Sequence, residues 1–151
     1  MNKYELTEEC KVVSLVDGKH TLYRIKALRD FADVKAGQLG GWVEKETNLS
    51  QAGNCFIYDD AVVCGRAKVK DHSCVFNDSM VFGRAQIANH AVLQDQAVVG
   101  AGVFIQGRAI IKGHSMVMGN MVISGNTIIE GEAMISSKGK ITNHAIYNDE
   151  V

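Results

Sequence analysis

The sequence predicts an all-β fold, a parallel β-helix, and three observations carry that prediction. From Cys55 to Asp149 the chain reads in sixes without a gap, with an aliphatic residue at Ile57, Val63, Val69, Val75, Val81, Ile87 and onward to Ile141, and Tyr147 in the last place. Four residues after each aliphatic stands a small one, as at Ala61, Ala67, Ser73, Ser79 and Ala85; only Val103 and Met121 break that column. Two residues after each aliphatic comes Gly, Asn or Asp, from Asp59 and Gly65 to Asp149, with Ala101 and Ser137 as the exceptions. Three columns holding one phase over this length exclude coincidence.

Each column has a physical task. A six-residue period suits neither a lone helix nor a hairpin sheet, but it is a solenoid period. The branched aliphatic fits a short strand and points inward. The turn column holds the residue types that adopt positive φ at least cost. The small residue lets the backbone bend at a corner. Three strand-and-turn units close one triangular coil, and coils stack in parallel at roughly 4.8 Å per rung. Residues 51–151 are thus expected to form about five triangular coils.

These columns resemble the hexapeptide-repeat proteins. The resemblance implies a left-handed parallel β-helix, whereas the general rule for parallel crossovers gives the opposite hand. In the familiar enzymes of that class Gly often follows the aliphatic directly; here Gly, Asn or Asp comes two places after it. Repeats of this V-x-G-x-A-x type are similar to those of bacterial and prophage proteins of unassigned role. The order Leu28-Arg29-Asp30-Phe31, Gly37, Gly40-Gly41-Trp42, Asn48-Leu49-Ser50 and Asn54-Cys55 resembles the head segment of the same proteins.

Residues 1–50 do not follow the six-residue rule and are expected to form an N-terminal hairpin and capping segment. Lys11–Val16 and Thr21–Leu28 alternate as strands do, and Asp17-Gly18 between them is a hairpin signal. Gly37 and Gly40-Gly41 read as turns before Trp42. An open β-helix end exposes unpaired backbone and an aliphatic layer, so this segment should cover that end or lie along one face. The repeat reaches Asp149 with no comparable cover, which makes end-to-end pairing at the C-terminal coil a further expectation.

Composition narrows the function classes. A net charge of −1 over 151 residues gives no footprint for DNA or RNA. No apolar run approaches the roughly 20 residues of a membrane span. Met1–Cys10 is polar and reads as no signal peptide, so the expected location is the cytoplasm, of a bacterium or of a phage's host. Cys10, Cys55, Cys64 and Cys74 form no CxxC pair and are expected to stay reduced. No His spacing suggests zinc, so no metal is expected.

The coil period also assigns outward side chains to faces. One face carries Phe56, Tyr58, Phe76, Val92, Ile110 and Ile128; the next carries Val62, Cys64, Met80, Phe82, Val98, Met116, Met118 and Met134; the third is mostly polar. Two apolar strips are more than a monomer leaves in water. Three prisms around a threefold axis use two faces of each, so a homotrimer is expected, with a dimer as runner-up. The expected interface comprises Phe56, Tyr58, Phe76, Phe82, Met80, Val98, Ile110, Met116, Met118, Ile128 and Met134.

The corners differ in chemistry. Between the two apolar strips run Asp60, Asp78, Gln96, His114 and Glu132; a second corner carries Arg66 and Arg84; a third carries Asn54, His72, His90, Arg108 and His144. Arg66 and Arg84, one rung apart, can grip a phosphate or carboxylate, or pair with Asp60 and Asp78 of a neighbouring subunit. His72, His90 and Arg108 form a second set of candidate ligand-binding residues. The expected function is a non-enzymatic oligomeric binding or structural module without a cofactor, possessing the rigidity of a β-helix trimer and encoded by a bacterium or phage. The resemblance implies an alternative, an acyl-CoA-dependent acyltransferase using acetyl-CoA, with His114 as general base. A third reading is sequestration of a small anionic, nucleotide-like ligand at intersubunit clefts.

Overall fold

A computed structural model describes residues 2–148. Two antiparallel strands open the chain, β1 (Tyr4–Leu15) and β2 (Gly18–Ala27). Their ladder runs from Tyr4 opposite Ala27 to Leu15 opposite Gly18, with a bulge between Leu6 and Cys10. The bulge explains why alternation is visible only from Lys11: the polar stretch Thr7-Glu8-Glu9 is where pairing breaks, and the strand resumes on its far side. The turn sits at Val16–Asp17, and Gly18 closes it at φ +124°.

Strand β3 (Leu39–Val43) joins the two halves of the molecule. It pairs antiparallel with β2 and parallel with Val62–Val63, so the hairpin extends one sheet of the column. Leu49 then bridges Val69 in parallel, and Phe56–Ile57 pairs with Cys74–Val75. Val43, Leu49 and Ile57 therefore line the first coil, which adds the end of the N-terminal segment to the column and brings it to about six coils. Gly40 and Gly41 are not turns, as the sequence suggested, but strand residues. A Cβ on Gly40 would lie 2.5 Å from the Ile57 carbonyl, and one on Gly41 would run into the Ala61 carbonyl. Glycine is needed there because two backbones meet.

Below this the column is regular. Val63, Val81, Val99, Val117 and Ile135 stack on one side; Val69, Ile87, Ile105 and Ile123 on the second; Ile57, Val75, Leu93, Ile111 and Ile129 on the third. All of these are fully or almost fully buried. Each buried aliphatic contributes about 1.5–3 kcal/mol relative to an exposed one. The small-residue corners are equally tight. Where the small residue is Ser or Thr, its buried hydroxyl donates to the carbonyl three residues back, Ser73 to Lys70 and Ser79 to Phe76 at 2.6 Å, Thr127 to Ser124 at 2.7 Å. These corners thus admit a hydroxyl without leaving an unpaired polar atom.

The last coil departs from the period. Ile128 pairs with Ala145, Ile129 with Ile146 and Glu130 with Tyr147, a spacing one residue shorter than above. Ile146, not Tyr147, fills the inward place; it is 8% exposed and Tyr147 is 63% exposed. Asn148 takes the positive-φ turn place at +60°. The expected turn residue, Asp149, lies outside the described residues. A one-residue shift turns each strand side chain to the opposite face, and here it places the smaller aliphatic in the core and the tyrosine in water.

The N-terminal segment both caps the end and covers part of a face. Tyr4, Ile25, Ala27, Phe31 and Val34 join the main core at the top of the column. Leu22 and Trp42 pack on Val62 and Cys64, the outward residues of one strip, with Val13, Leu15, Met80 and Phe82 around them. Phe31 meets Phe56 edge-on at 5.5 Å, Phe56 meets Tyr58 at 5.1 Å, and the Tyr58 hydroxyl donates to Asp33 at 2.7 Å. Phe56 and Tyr58 are therefore buried inside the protomer, which corrects their assignment to an outer interface. Burial and the Asp33 carboxylate both push the Tyr58 phenol above its ordinary range.

Candidate functional site

The candidate sites sit on corners, and the corners are held by a ladder that the turn residues build. The Asp59 carboxylate accepts the Asn77 N–H at 2.9 Å, Asn77 Oδ1 accepts the Asp95 N–H at 2.9 Å, and the Asp95 carboxylate accepts the Gly113 N–H at 3.0 Å. A parallel ladder runs from Asp71 to Asn89 to Gly107, each bond 2.9 Å. Each Asn or Asp thus fits its positive-φ turn and also ties it to the coil below. Glycine terminates each run, because it can receive such a bond and cannot pass it on.

The first ladder carries His114. Its backbone N–H donates to the Gly131 carbonyl at 2.7 Å, and its side chain stands exposed on the edge between two sheets. Two shallow clefts meet at this imidazole. One, of about 470 Å³, is walled by Asn77, Asp78, Asp95 and Gln96; the other, of about 520 Å³, by Met116, Glu132, Met134 and Asn148. Met116 is 38% exposed and Met134 is 52% exposed. The imidazole thereby stands between a polar wall and a mixed one, in which Met116 and Met134 lie beside Glu132 and Asn148. Asn148 stands in this wall because the last coil is one residue shorter and carries it into the turn place.

The second ladder carries His72 and His90. Their rings stack one rung apart with centroids at 5.2 Å and an interplanar angle of 21°. Arg108 lies on the next rung, and all three border a cleft of about 620 Å³ together with Ser50 and Gly53. The sequence placed these three side chains on one edge; it gave no hint that the loop at Ser50–Gly53 would close its upper end. Among the described residues no group of three or more His, Cys, Asp or Glu side chains is arranged to hold a metal ion.

Arg66 and Arg84 stand exposed on the remaining corner. Of the acidic partners considered for them, Asp60 is already engaged within its own chain: Arg24 Nη2 meets Asp60 Oδ1 at 3.0 Å and keeps that carboxyl below its usual range. Asp60 therefore takes part in the hairpin's attachment to the column. Gly100 is covered by the Phe82 ring and the Met118 sulfur, where a Cβ would come within 2.6 Å and 2.9 Å. With Val62 and Cys64 buried under the hairpin, what remains wet of that strip centres on Met116 and Met134.

Nucleophilic chemistry by the buried thiols is disfavoured. Burial pushes the Cys64 thiol up to about 12 and raises those of Cys55 and Cys74. Among the described residues no helix is long and apolar enough to cross a membrane.

No protein-family model matches the chain. Over 78 residues, 48% of its length, it is 46% identical to an Escherichia coli (strain K12) protein named Uncharacterized acetyltransferase YdcK. The matched stretch is 24% of that protein's length, so this chain spans well under two thirds of its relative. The similarity, with stacked parallel coils beneath it, agrees with the resemblance to hexapeptide-repeat proteins. It favours the acyltransferase alternative over the non-enzymatic module and gives no support to a phage origin.

Proposed function

We propose that the protein transfers an acetyl group from acetyl-CoA to an amine or hydroxyl acceptor, with His114 as general base. The observation that carries the reading is the 46% identity to a protein named an acetyltransferase. The His114 corner supplies a place for the chemistry. A general base needs an accessible nitrogen within hydrogen-bond reach of the acceptor proton, and His114 is exposed at the meeting point of two clefts. In the reaction the acceptor nitrogen or oxygen attacks the thioester carbonyl. His114 takes the acceptor's proton, the carbon–sulfur bond breaks, and CoA leaves as the thiolate, which takes up a proton in turn. The apolar side chains of Met116 and Met134 suit the aliphatic arm of the donor. Glu132 lines the same cleft one rung on, and in this reading it orients the imidazole.

In this reading the working unit is a homotrimer, in which a neighbouring prism set against the Met116–Met134 strip deepens the open cleft beside His114. The test is release of CoA thiol from acetyl-CoA, followed colorimetrically across a panel of amines and hydroxyl acceptors. His114→Ala should lower turnover by about 100-fold or more, the usual contribution of a general base. Equal turnover by His114→Ala and the parent protein would overturn the assignment.

A further inference from the structure

Of the three clefts described, the largest, about 620 Å³ against about 520 and 470 Å³, is not at His114 but at the edge carrying His72, His90 and Arg108. Its concavity has a structural cause. The turn residues above and below are glycines, Gly53 and Gly107, and put no side chain into the space. The loop at Ser50–Gly53 lies directly against the coil beneath, since a Cβ on Gly53 would run into the Asp71 carbonyl. The cleft is therefore closed at its upper end and open along the column.

Three nitrogen-rich side chains follow one another along it, each about one rung, roughly 4.8 Å, from the next. Among the described residues none of the three is engaged in an internal ion pair. The lining holds one carboxylate, Asp71, whose Oδ2 accepts from the Asn89 N–H at 2.9 Å and from Asn89 Nδ2 at 3.3 Å. That oxygen is thus turned toward the ladder. Lys70, just before it, lies over the Phe104 ring at 5.7 Å on the adjoining face and adds a cation nearby.

A row of donors selects differently from a ring of donors. A guanidinium matches phosphate oxygens in bidentate fashion. Imidazole edges repeating along the same line offer further N–H groups to oxygens on a second phosphorus. Stacked at 5.2 Å, the two rings leave no room for a planar ligand between them, so they act through their edges. We infer that this edge is a binding site for a diphosphate group, with Arg108 on one phosphate and His90 and His72 on the other. The site is separate from the acetyl-transfer reading, which uses a different edge of the column.

Isothermal titration of the intact protein at low salt, with inorganic pyrophosphate, orthophosphate and ADP as probes, tests it. Pyrophosphate should bind, orthophosphate should bind about tenfold more weakly, and added salt should weaken both. Arg108→Ala, and the double variant His72→Ala with His90→Ala, should each lower pyrophosphate affinity by about tenfold or more, the loss expected for a charge-assisted hydrogen bond. His90→Gln alone gives the readout if the double variant fails to fold. Lys138→Ala, which removes a cation from another edge, should leave binding unchanged. Tighter binding of ADP than of pyrophosphate would identify a nucleotide as the source of the diphosphate, and equal binding would show that the diphosphate alone is read. Absence of pyrophosphate binding, or equal affinity in the edge variants, would overturn the proposal. So would loss of pyrophosphate binding in His114→Ala, which would merge the two sites. Failure of acetyl transfer would leave this result standing.

Discussion

A single asparagine shows how much one position in the turn column does. Asn89 sits at φ +57°, and its Oδ1 holds the Gly107 N–H of the next coil at 2.9 Å. The backbone conformation and the bond can be separated by substitution. Asn89→Gly keeps the positive φ and loses the bond, at a cost of about 1 kcal/mol. Asn89→Ala loses the bond and also strains the left-handed conformation, for a total of about 2–3 kcal/mol. Urea denaturation would measure both; equal costs would show that the ladder matters and the conformation does not. The preference for positive φ was legible in the sequence, because Gly, Asn and Asp share it. The ladder was not read, because it depends on which N–H lies beneath each side chain.

At the scale of elements, the hairpin of β1 and β2 is held to the column by a histidine between two carboxylates. His20 is 8% exposed; its Nε2 meets Asp17 Oδ1 at 2.7 Å and its Nδ1 meets Glu44 Oε1 at 3.0 Å. Glu44 Oε1 also accepts the Gly65 N–H at 2.7 Å, which ties the clasp to the first coils. Hydrogen bonds to Asp17 and Glu44 raise the His20 pKa. The bond to His20 lowers that of Asp17, and Glu44 is lowered by His20 and Gly65 against the opposing effect of its burial. A raised histidine contributes stability that is complete below its unfolded pKa and is lost as pH rises through the folded value. Lowered carboxylates contribute stability that is present above their unfolded pKa values and is lost as pH falls. The clasp is therefore strongest between about pH 4.5 and 6.5. Thermal unfolding of the parent and of His20→Gln should differ most in that window and converge at alkaline pH; a constant offset to pH 10 would refute the clasp. Trp42, the single tryptophan, lies under this hairpin and reports its release by fluorescence.

The whole molecule is an extended column whose side surfaces differ. Its N-terminal segment covers the upper part of both apolar strips, including Phe56, Tyr58, Val62 and Cys64, and leaves Met116 and Met134 exposed lower down. If that remainder is a subunit contact, light scattering at micromolar concentration should give three times the protomer mass. Met116→Asp with Met134→Asp should then give the monomer, by placing unpaired charges in an apolar contact. A monomeric parent protein would end the trimer proposal.

The inward column was legible down to the last coil, because an aliphatic at every sixth place defines a period that only stacked coils satisfy. Val81 and Ile111 are fully buried, as that period requires. The edges followed from the same arithmetic, so His114, His72, His90 and Arg108 stand where counting put them. Three features were decided by contacts between distant parts of the chain. The glycines at Gly40 and Gly41 serve a backbone crossing, the aromatics Phe56 and Tyr58 are claimed by Phe31 and Asp33, and the last coil drops a residue to bury Ile146 in place of Tyr147. A repeat writes its own geometry into local spacing, so the string alone determined the column. Which of its surfaces is covered depends on competition among segments far apart in sequence, and only the folded chain resolves that competition.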